Sequence, residues 1–141
     1  MAFVMDAEWN QEAAREIARN LVAYNQQHAA PEDAQAPQEN FSLVLRDESG
    51  EIVGGLVGMM YWRRLKIELL WLHEKLRGQG HGSRLLQEME EKAREKGARL
   101  IELDTISFQA PDFYKKHGYE VFGKIEDFPA GHTHYHYMKW L

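Results

Sequence analysis

A glycine-rich loop joins an apolar, strand-like run to a long amphipathic helix, with Gly78, Gly80 and Gly82 at alternate positions. At the start of a helix, the first amide groups have no partner within the helix. Together with the helix dipole they favour a bound anion. Glycine lets the backbone come close to such a ligand, and Arg77 and Arg84 can add charge-assisted hydrogen bonds. The loop therefore predicts a phosphate-binding site.

Other glycine patterns fit this loop less well. The P-loop pattern requires a lysine after its last glycine, and no lysine follows any of these three. The dinucleotide pattern is matched by Gly78 and Gly80, but Ser83 stands at its third glycine position, although Glu102 lies about 20 residues on, as that pattern asks. Antiparallel strands precede the loop, which argues against a dinucleotide fold. Glycines that serve only a tight turn are the remaining alternative.

Two segments carry a resemblance to a known family. Residues 77–82, Arg-Gly-Gln-Gly-His-Gly, resemble the hallmark [Q/R]-x-x-G-x-[G/A] of the GNAT superfamily of acetyl-CoA-dependent N-acetyltransferases. Residues 110–119, Ala-Pro-Asp-Phe-Tyr-Lys-Lys-His-Gly-Tyr, are similar to that family's A-x-x-F-Y-x-x-x-G-[F/Y] segment. The order of elements also matches from residue 7 onward, and the family's first strand would have to come from residues 2–5.

The resemblance implies a role for each matched residue. The coenzyme A pyrophosphate would be held by the loop, chiefly through backbone amides, by Arg77, Gly78, Gln79, Gly80, His81, Gly82 and Ser83. The pantetheine would lie where the central strand splays from its parallel neighbour, and the Leu72 amide would polarise the acetyl carbonyl. Tyr114 would protonate the departing thiolate. Many relatives have an asparagine at Ser107 that contacts the pantetheine, and Ser107 or Gln109 would take over that contact.

Acetyl transfer to an amine also needs a proton acceptor. A lysine-like amine with a pKa of ~10.4 is less than about 0.1% neutral at pH 7, so a base or a desolvating pocket must supply the free amine. Glu68 is the candidate base because it lies four residues before Leu72 and is therefore predicted on the same strand face. Glu102 and Asp104 on the next strand are alternatives, and Glu68 could equally be a surface or ion-paired glutamate. A tyrosine pKa near 10 predicts that protonating a thiolate with a pKa near 8.5 costs little.

Three histidines, His132, His134 and His136, alternate near the C-terminus and are predicted to share one side of the last strand. They would spread over about 13 Å at ~3.3 Å per residue, too far for all three to bind one zinc ion. We therefore predict no metal site, and expect a solvated edge, the wall of a substrate pocket or a contact with a crossing strand.

Hydrophobic periodicity predicts an α+β fold with the order αβββαβαββ. A βαβ crossover around the long helix makes two strands parallel, and hairpins make the others antiparallel, so the sheet is predicted to be mixed. The resemblance implies a GNAT-like fold, with a central, mostly antiparallel mixed sheet flanked by helices. The first helix is expected to begin after an Asp6 cap, and Leu69 and Trp71 are expected on the same strand face as Leu65 and Ile67. The predicted helices are 7–28, 80–96 and 110–117, and the predicted strands are 41–46, 51–62, 65–72, 100–107, 119–124 and 132–141.

Length and composition limit the class of protein. The 141 residues are 44% apolar and contain no cysteine, which predicts one folded domain over residues 1–141 and excludes thiol chemistry. The net charge of −5 argues against a nucleic-acid partner, and no apolar run reaches the ~20 residues that cross a membrane. No signal peptide is recognised, so a cytoplasmic location is expected. Residues 1–40 hold seven acids and two bases, and so carry the excess negative charge.

These observations predict an enzyme that moves the acetyl group of acetyl-CoA to a primary amine of a small cationic molecule. A protein or peptide acceptor is one alternative, and a catalytically silent acetyl-CoA-binding sensor module is another. Exposed edge strands would allow a homodimer.

Overall fold

A six-stranded mixed sheet is the framework of residues 36–141 in the computed structural model, which describes all 141 residues of the chain. Residues 1–35 form a second compact unit. The helices are α1 (Gln11–His28), α2 (Pro31–Ala34), α3 (His81–Glu95) and α4 (Pro111–Lys116). The strands are β1 (Glu39–Arg46), β2 (Ile52–Tyr61), β3 (Arg64–Leu72), β4 (Leu100–Ile106), β5 (Glu120–Glu126) and β6 (Thr133–Trp140).

The strand order across the sheet is β1-β2-β3-β4-β6-β5. Only β3 and β4 are parallel, and α3 is the crossover between them, whereas all other neighbours are antiparallel. The predicted α+β class, the mixed sheet and the order αβββαβαββ are confirmed, with α2 as an additional short helix. No helix of the chain is both long and apolar enough to cross a membrane.

The N-terminal unit consists of α1 and α2. The helix α1 begins later than predicted, because the Asn10 side chain caps it by accepting a hydrogen bond from the Ala13 amide at 3.0 Å. The predicted Asp6 cap is wrong, since Asp6 instead accepts from the Glu8 amide in the preceding segment. Residues 2–5 form no strand, so the predicted first strand is also wrong. No residue of α1 is buried.

One face of the sheet packs against α3 and forms the core. The helix buries the apolar stripe that its sequence predicts, namely Leu85, Leu86, Met89 and Ala93. These side chains meet inward residues of the strands, among them Leu56, Met60, Leu65, Ile67, Ile101 and Leu103. Apolar residues at helical spacing on α3 and at alternate positions on the strands therefore meet in a single layer.

A β-bulge in β3 changes the predicted strand faces. Ile67 pairs with Gly58 and Leu69 pairs with Val57, so Glu68 is an extra residue without an opposite partner. One extra residue reverses the alternation of side chains beyond it. Leu72 therefore packs against the core, whereas Leu69 is 65% exposed.

Two predictions about strand β3 are consequently wrong. Leu69 and Trp71 do not share the buried face of Leu65 and Ile67. Glu68 does not share a face with Leu72, because Glu68 is exposed while Leu72 is partly buried against the core. The physical reason for both errors is the bulge, which simple two-residue alternation does not include.

A buried polar network joins α3 to β6 and to the segment after α4. The Tyr119 hydroxyl donates to Glu90 Oε1 at 3.0 Å, and Lys139 Nζ donates to the two Glu90 carboxylate oxygens at 3.2 and 3.1 Å. Lys139 also donates to the His117 carbonyl at 2.9 Å. Burial, and then the negative charge of Glu90, raise the pKa of Tyr119 well above its usual value. The network gives the buried carboxylate both a cation and a hydrogen-bond donor.

Candidate active site

The three glycines of the loop before α3 are needed for different structural reasons. Gly78 and Gly80 have φ angles of +75° and +85°, a left-handed conformation that side chains other than glycine rarely adopt. A Cβ atom at either position would have no protein atom within 4 Å, so both face open space. At Gly82, a Cβ would lie 3.4 Å from Phe113 and 3.5 Å from Leu72, which are ordinary contacts. Gly78 and Gly80 are therefore required by the backbone, whereas Gly82 is only limited to a small residue.

The backbone amides of residues 78–83 form a cradle of six consecutive N–H groups at the start of α3. None of them donates a hydrogen bond within the protein, and no side chain caps the helix. The first amide of the segment that does so is Arg84, which donates to the Gly80 carbonyl at 3.1 Å. Free amides at the positive end of a 15-residue helix suit an anionic group, so this chain fits the diphosphate of a coenzyme.

Several side chains of the loop maintain its shape. Gln79 Nε2 donates to the Lys75 carbonyl at 2.7 Å, and Arg77 Nε donates to the Leu72 carbonyl at 3.4 Å. The Ser83 hydroxyl is 2.9 Å from His117 Nε2, which ties the start of α3 to the end of α4. These contacts fix the backbone and leave its amide groups open. His81, the first residue of α3, is half-buried.

A gap opens between the two parallel strands beside this cradle. The pairing of β3 with β4 runs only from Arg64 and Leu100 to Ile67 and Leu103. On the other side of β3 the His73 amide donates to the Val53 carbonyl of β2 at 2.8 Å. Because successive residues of a strand direct their N–H groups to opposite sides, the amide before it, that of Leu72, points away from β2 and into the gap. The Leu72 N–H is therefore open in the gap, and its role in oxyanion stabilisation stays a prediction.

Tyr114 lies in α4 with its ring buried and its hydroxyl without a partner. The residue is 8% exposed and its ring contacts those of Phe113, Tyr119 and Tyr137. No hydrogen bond of the hydroxyl is formed within the protein. Burial, and secondarily the negative charge of Asp104, raise the pKa of Tyr114 to about 12. The hydroxyl therefore stays protonated near neutral pH and can act as a donor.

The structure separates the three candidate bases. Glu102 forms an ion pair with Arg64, with 2.7 Å between Oε2 and Nη1. Glu68 is exposed and forms no hydrogen bond or ion pair. Asp104 lies 2.7 Å from His134 Nε2. Glu68 and Asp104 each follow the last paired residue of their strands, so both lie at the point where the gap opens.

The two predicted pantetheine contacts, Ser107 and Gln109, belong to a helical turn directly after β4. The Ser107 hydroxyl accepts from the Thr133 amide at 3.1 Å and is 3.2 Å from His132 Nδ1. Gln109 Oε1 accepts from the Ile106 amide at 2.9 Å, which leaves its Nε2 group without a protein partner. Both side chains hold the end of β4, and a contact with the pantetheine stays a prediction for each.

The bond between Asp104 and His134 is a contact of the alternating histidines with another strand, one of the predicted alternatives, but the sequence did not identify the partner. His132 precedes β6, whereas His134 and His136 lie within it, with ring centroids 4.7 Å apart. The antiparallel pairing of β4 with β6 places His136 opposite Asp104 and His134 one diagonal step away. The only sequence signal for this contact was an aspartate in one predicted strand and alternating histidines in another, without the register that joins them.

Comparison with known proteins is decisive at this point. Residues 4–119 match the family model described as "Acetyltransferase (GNAT) family". The chain belongs to this family. The predicted family and fold are thereby confirmed, and this GNAT protein is an acetyltransferase whose acetyl donor is acetyl-CoA.

Three relatives illustrate the similarity. A blasticidin-S acetyltransferase from Streptomyces morookaense is 41% identical over 106 residues, which are 74% of this chain and 78% of that protein. Acetyltransferase Atu2258 from Agrobacterium fabrum (strain C58 / ATCC 33970) is 30% identical over 141 residues, 100% of this chain and 97% of that protein. A crystal structure of an acetyltransferase from Bacillus cereus ATCC 14579 is 43% identical, covers 98% of both chains and superposes with a TM-score of 0.92.

Proposed function

We propose that this GNAT protein transfers the acetyl group of acetyl-CoA to a primary amine of a small cationic molecule. The observation that carries the proposal is the pair of carboxylates, Glu68 and Asp104, at the point where β3 and β4 separate. Neither forms an ion pair with a lysine or an arginine, so both are available to attract an ammonium group. The similarity to a blasticidin-S acetyltransferase supports a small-molecule acceptor.

The binding part of the mechanism follows from the backbone. The amides of residues 78–83 would hold the diphosphate, and acetyl-CoA would supply the activated acetyl group in the gap between β3 and β4. The Leu72 N–H would donate to the carbonyl oxygen of that acetyl group, where negative charge develops as the amine attacks. This arrangement needs no protein nucleophile, in agreement with a chain that contains no cysteine.

The remaining steps move protons. A carboxylate at the opening, Glu68 or Asp104, accepts one proton from the ammonium group and passes it to solvent. The neutral nitrogen then forms a bond to the acetyl carbon, and the bond from carbon to sulfur breaks. Tyr114 donates its proton to the departing sulfur and regains one as the nitrogen loses its second proton. The products are an N-acetylated amine and a thiol, with one proton released.

The test is a thiol-release assay of the purified protein with acetyl-CoA and a panel of amines. The panel contains blasticidin S, spermidine, an aminoglycoside and a lysine-containing peptide. We expect turnover with at least one small cationic amine and an acetyl group on its nitrogen by mass spectrometry. Turnover with the peptide alone would mean that the acceptor is a peptide and not a small molecule. Binding of acetyl-CoA without turnover of any amine would favour a silent sensor module and overturn the proposal.

A further inference from the structure

Asp104 is the carboxylate of the opening that the protein holds in a fixed orientation. Its Oδ2 atom is 2.7 Å from His134 Nε2, whereas no protein group contacts Oδ1 by a hydrogen bond. The aspartate side chain is partly exposed and the histidine is largely buried. Glu68, on the other strand, lies in a bulge and has no such support. One carboxylate of the pair is thus oriented and the other is free to move.

The surroundings of His134 identify which nitrogen carries the proton. Nδ1 is buried and has no hydrogen-bond partner, while Nε2 faces the Asp104 carboxylate. A proton on Nδ1 would be a buried donor without an acceptor, which is costly. The tautomer with hydrogen on Nε2 leaves Nδ1 as an unpaired acceptor but donates to Asp104, whereas the other tautomer would also set the Nε2 lone pair against the carboxylate. The imidazole therefore acts on Asp104 as a donor and leaves the carboxylate its charge and one free oxygen.

Asp104 also lies within electrostatic reach of the proton donor. Its charge is one of the two causes that raise the pKa of Tyr114, and Glu68 is not among them. In the proposed mechanism Tyr114 protonates the departing sulfur, so Asp104 is the carboxylate whose charge acts on that proton donor. The neighbouring titratable or charged groups are Glu68 and Lys66 on β3, Glu102 with its partner Arg64, His134 and His136 on β6, and Tyr114 on α4.

We propose that Asp104 is the catalytic residue that accepts the proton of the acceptor's ammonium group, and that His134 is its positioning residue. Oδ1 takes the proton directly or through one water, and His134 keeps Oδ2 hydrogen-bonded throughout. Glu68 contributes negative charge that attracts the cation. This inference rests on the proposed function and selects between the two carboxylates that the proposed function leaves open.

The activity test compares Asp104→Asn with Glu68→Gln, using the panel amine that the wild-type protein acetylates fastest. Asp104→Asn should lower kcat near pH 7 by about 10²-fold or more, the usual contribution of a general base. Its rate should rise as the pH approaches the pKa of the amine, because solvent then supplies the neutral nitrogen. Glu68→Gln should raise KM for the amine several-fold, with kcat and its pH profile nearly unchanged. An Asp104→Asn profile equal to the wild type, or a larger kcat loss in Glu68→Gln, would overturn the assignment.

The positioning role is tested by two substitutions of the same residue and one control. His134→Gln keeps a donor that can reach Asp104, so it should retain more of kcat than His134→Ala, which leaves the carboxylate unsupported. His136→Gln is the matched control, since it removes a neighbouring imidazole that does not bond Asp104. Equal kcat and pH profiles for His134→Gln, His134→Ala and His136→Gln would overturn the role of His134.

A measurement independent of turnover completes the test. In the nitrogen-15 NMR spectrum of the free protein, His134 should show the Nε2–H tautomer, and Asp104→Asn should change its ring signals while those of His136 move little. The affinity for acetyl-CoA should stay within about threefold of the wild type in every variant. A protonated Nδ1 in the wild type would contradict the inference. If the wild type binds acetyl-CoA but acetylates no amine, the proposed function fails; if it turns over and Asp104→Asn is unchanged, only this inference fails.

Discussion

A single carboxylate at Gly80 should abolish coenzyme binding and barely change folding. Gly80 has a φ of +85°, and a Cβ there meets no protein atom within 4 Å, so Gly80→Glu introduces backbone strain without a clash. A side chain in this conformation costs about 1–2 kcal/mol. An acidic group at the start of a helix returns about 0.3–1 kcal/mol of that. The free energy of unfolding should therefore fall by only about 1 kcal/mol.

The effect on binding should be much larger, because the new charge would lie within the segment whose free amides, those of residues 78–83, are proposed to hold the diphosphate. Two like charges about 4 Å apart repel each other by about 4 kcal/mol at the effective dielectric constant near a protein surface. Since 1.4 kcal/mol is a factor of ten, the Kd for acetyl-CoA should rise by roughly 10³-fold. Acetyl-CoA at 100 times the wild-type Kd stabilises the native state by about 2.7 kcal/mol, and this stabilisation should vanish in Gly80→Glu.

The chain supplies a matched control at the other end of the same helix. Gly97 has a φ of +84° and equally open space around its Cβ position, but it follows the C-terminus of α3. Gly97→Glu should cost at least as much stability, because an acid is unfavourable there, and should keep the full stabilisation by acetyl-CoA. The assay is thermal unfolding with and without acetyl-CoA, supported by calorimetric titration. Equal stabilisation of Gly80→Glu and Gly97→Glu by the ligand would refute the cradle.

Three further predictions concern the proton donor and the buried network. Tyr114→Phe should lower kcat by about 10²-fold or more and leave the acetyl-CoA Kd within about threefold; unchanged turnover would exclude Tyr114 as the acid. The pKa of Tyr114 is about 12 in the native state and 10 in the unfolded chain, so this tyrosine makes its full contribution to stability below pH 10. That contribution, up to about 2.7 kcal/mol, is lost as the pH rises from 10 to 12. In denaturant titrations over this pH range, the free energy of unfolding should therefore fall less in Tyr114→Phe than in the wild type. Lys139→Met leaves the buried Glu90 carboxylate with only the more distant cation of Arg94, at 4.0 Å, and should reduce the free energy of unfolding by about 3 kcal/mol. Lys124→Met on the surface should change it by less than about 0.5 kcal/mol; similar losses would mean the buried pair contributes no more than an exposed one.

The parts of the fold that follow from local sequence were predictable. The apolar stripe of α3 and the glycine that ends it, Gly97, depend on helical spacing and on one left-handed residue, and both lie where the sequence places them. The loop before α3 was predictable for the same reason, since free amides and positive φ angles are properties of a few consecutive residues. The backbone conformation of such a motif is determined by its own few residues, so it can be predicted from the sequence.

The parts that depend on pairing between distant residues could not be predicted. The bulge at Glu68 exists only because β2 and β3 pair with a shift, and no two-residue pattern within β3 reveals it. The choice among three carboxylates likewise required the neighbours that the sheet brings together, Arg64 beside Glu102 and His134 beside Asp104. A sequence shows which side chains can do chemistry, but the register of the sheet decides which of them face each other.

The raised pKa of Tyr114 links the two proton transfers of the proposed reaction. With a pKa of about 12, the hydroxyl is a weaker acid than the sequence suggested, and full transfer to a thiolate with a pKa near 8.5 costs about 5 kcal/mol. Burial, the larger cause, is permanent, whereas the charge of Asp104 is not. When Asp104 faces an ammonium group or has accepted its proton, its effect on Tyr114 is offset and the hydroxyl becomes a better acid. With the proposed roles of Asp104 and Tyr114, arrival of the acceptor would make Tyr114 a stronger acid, and the thioester would be cleaved most easily when an amine is present to receive the acetyl group.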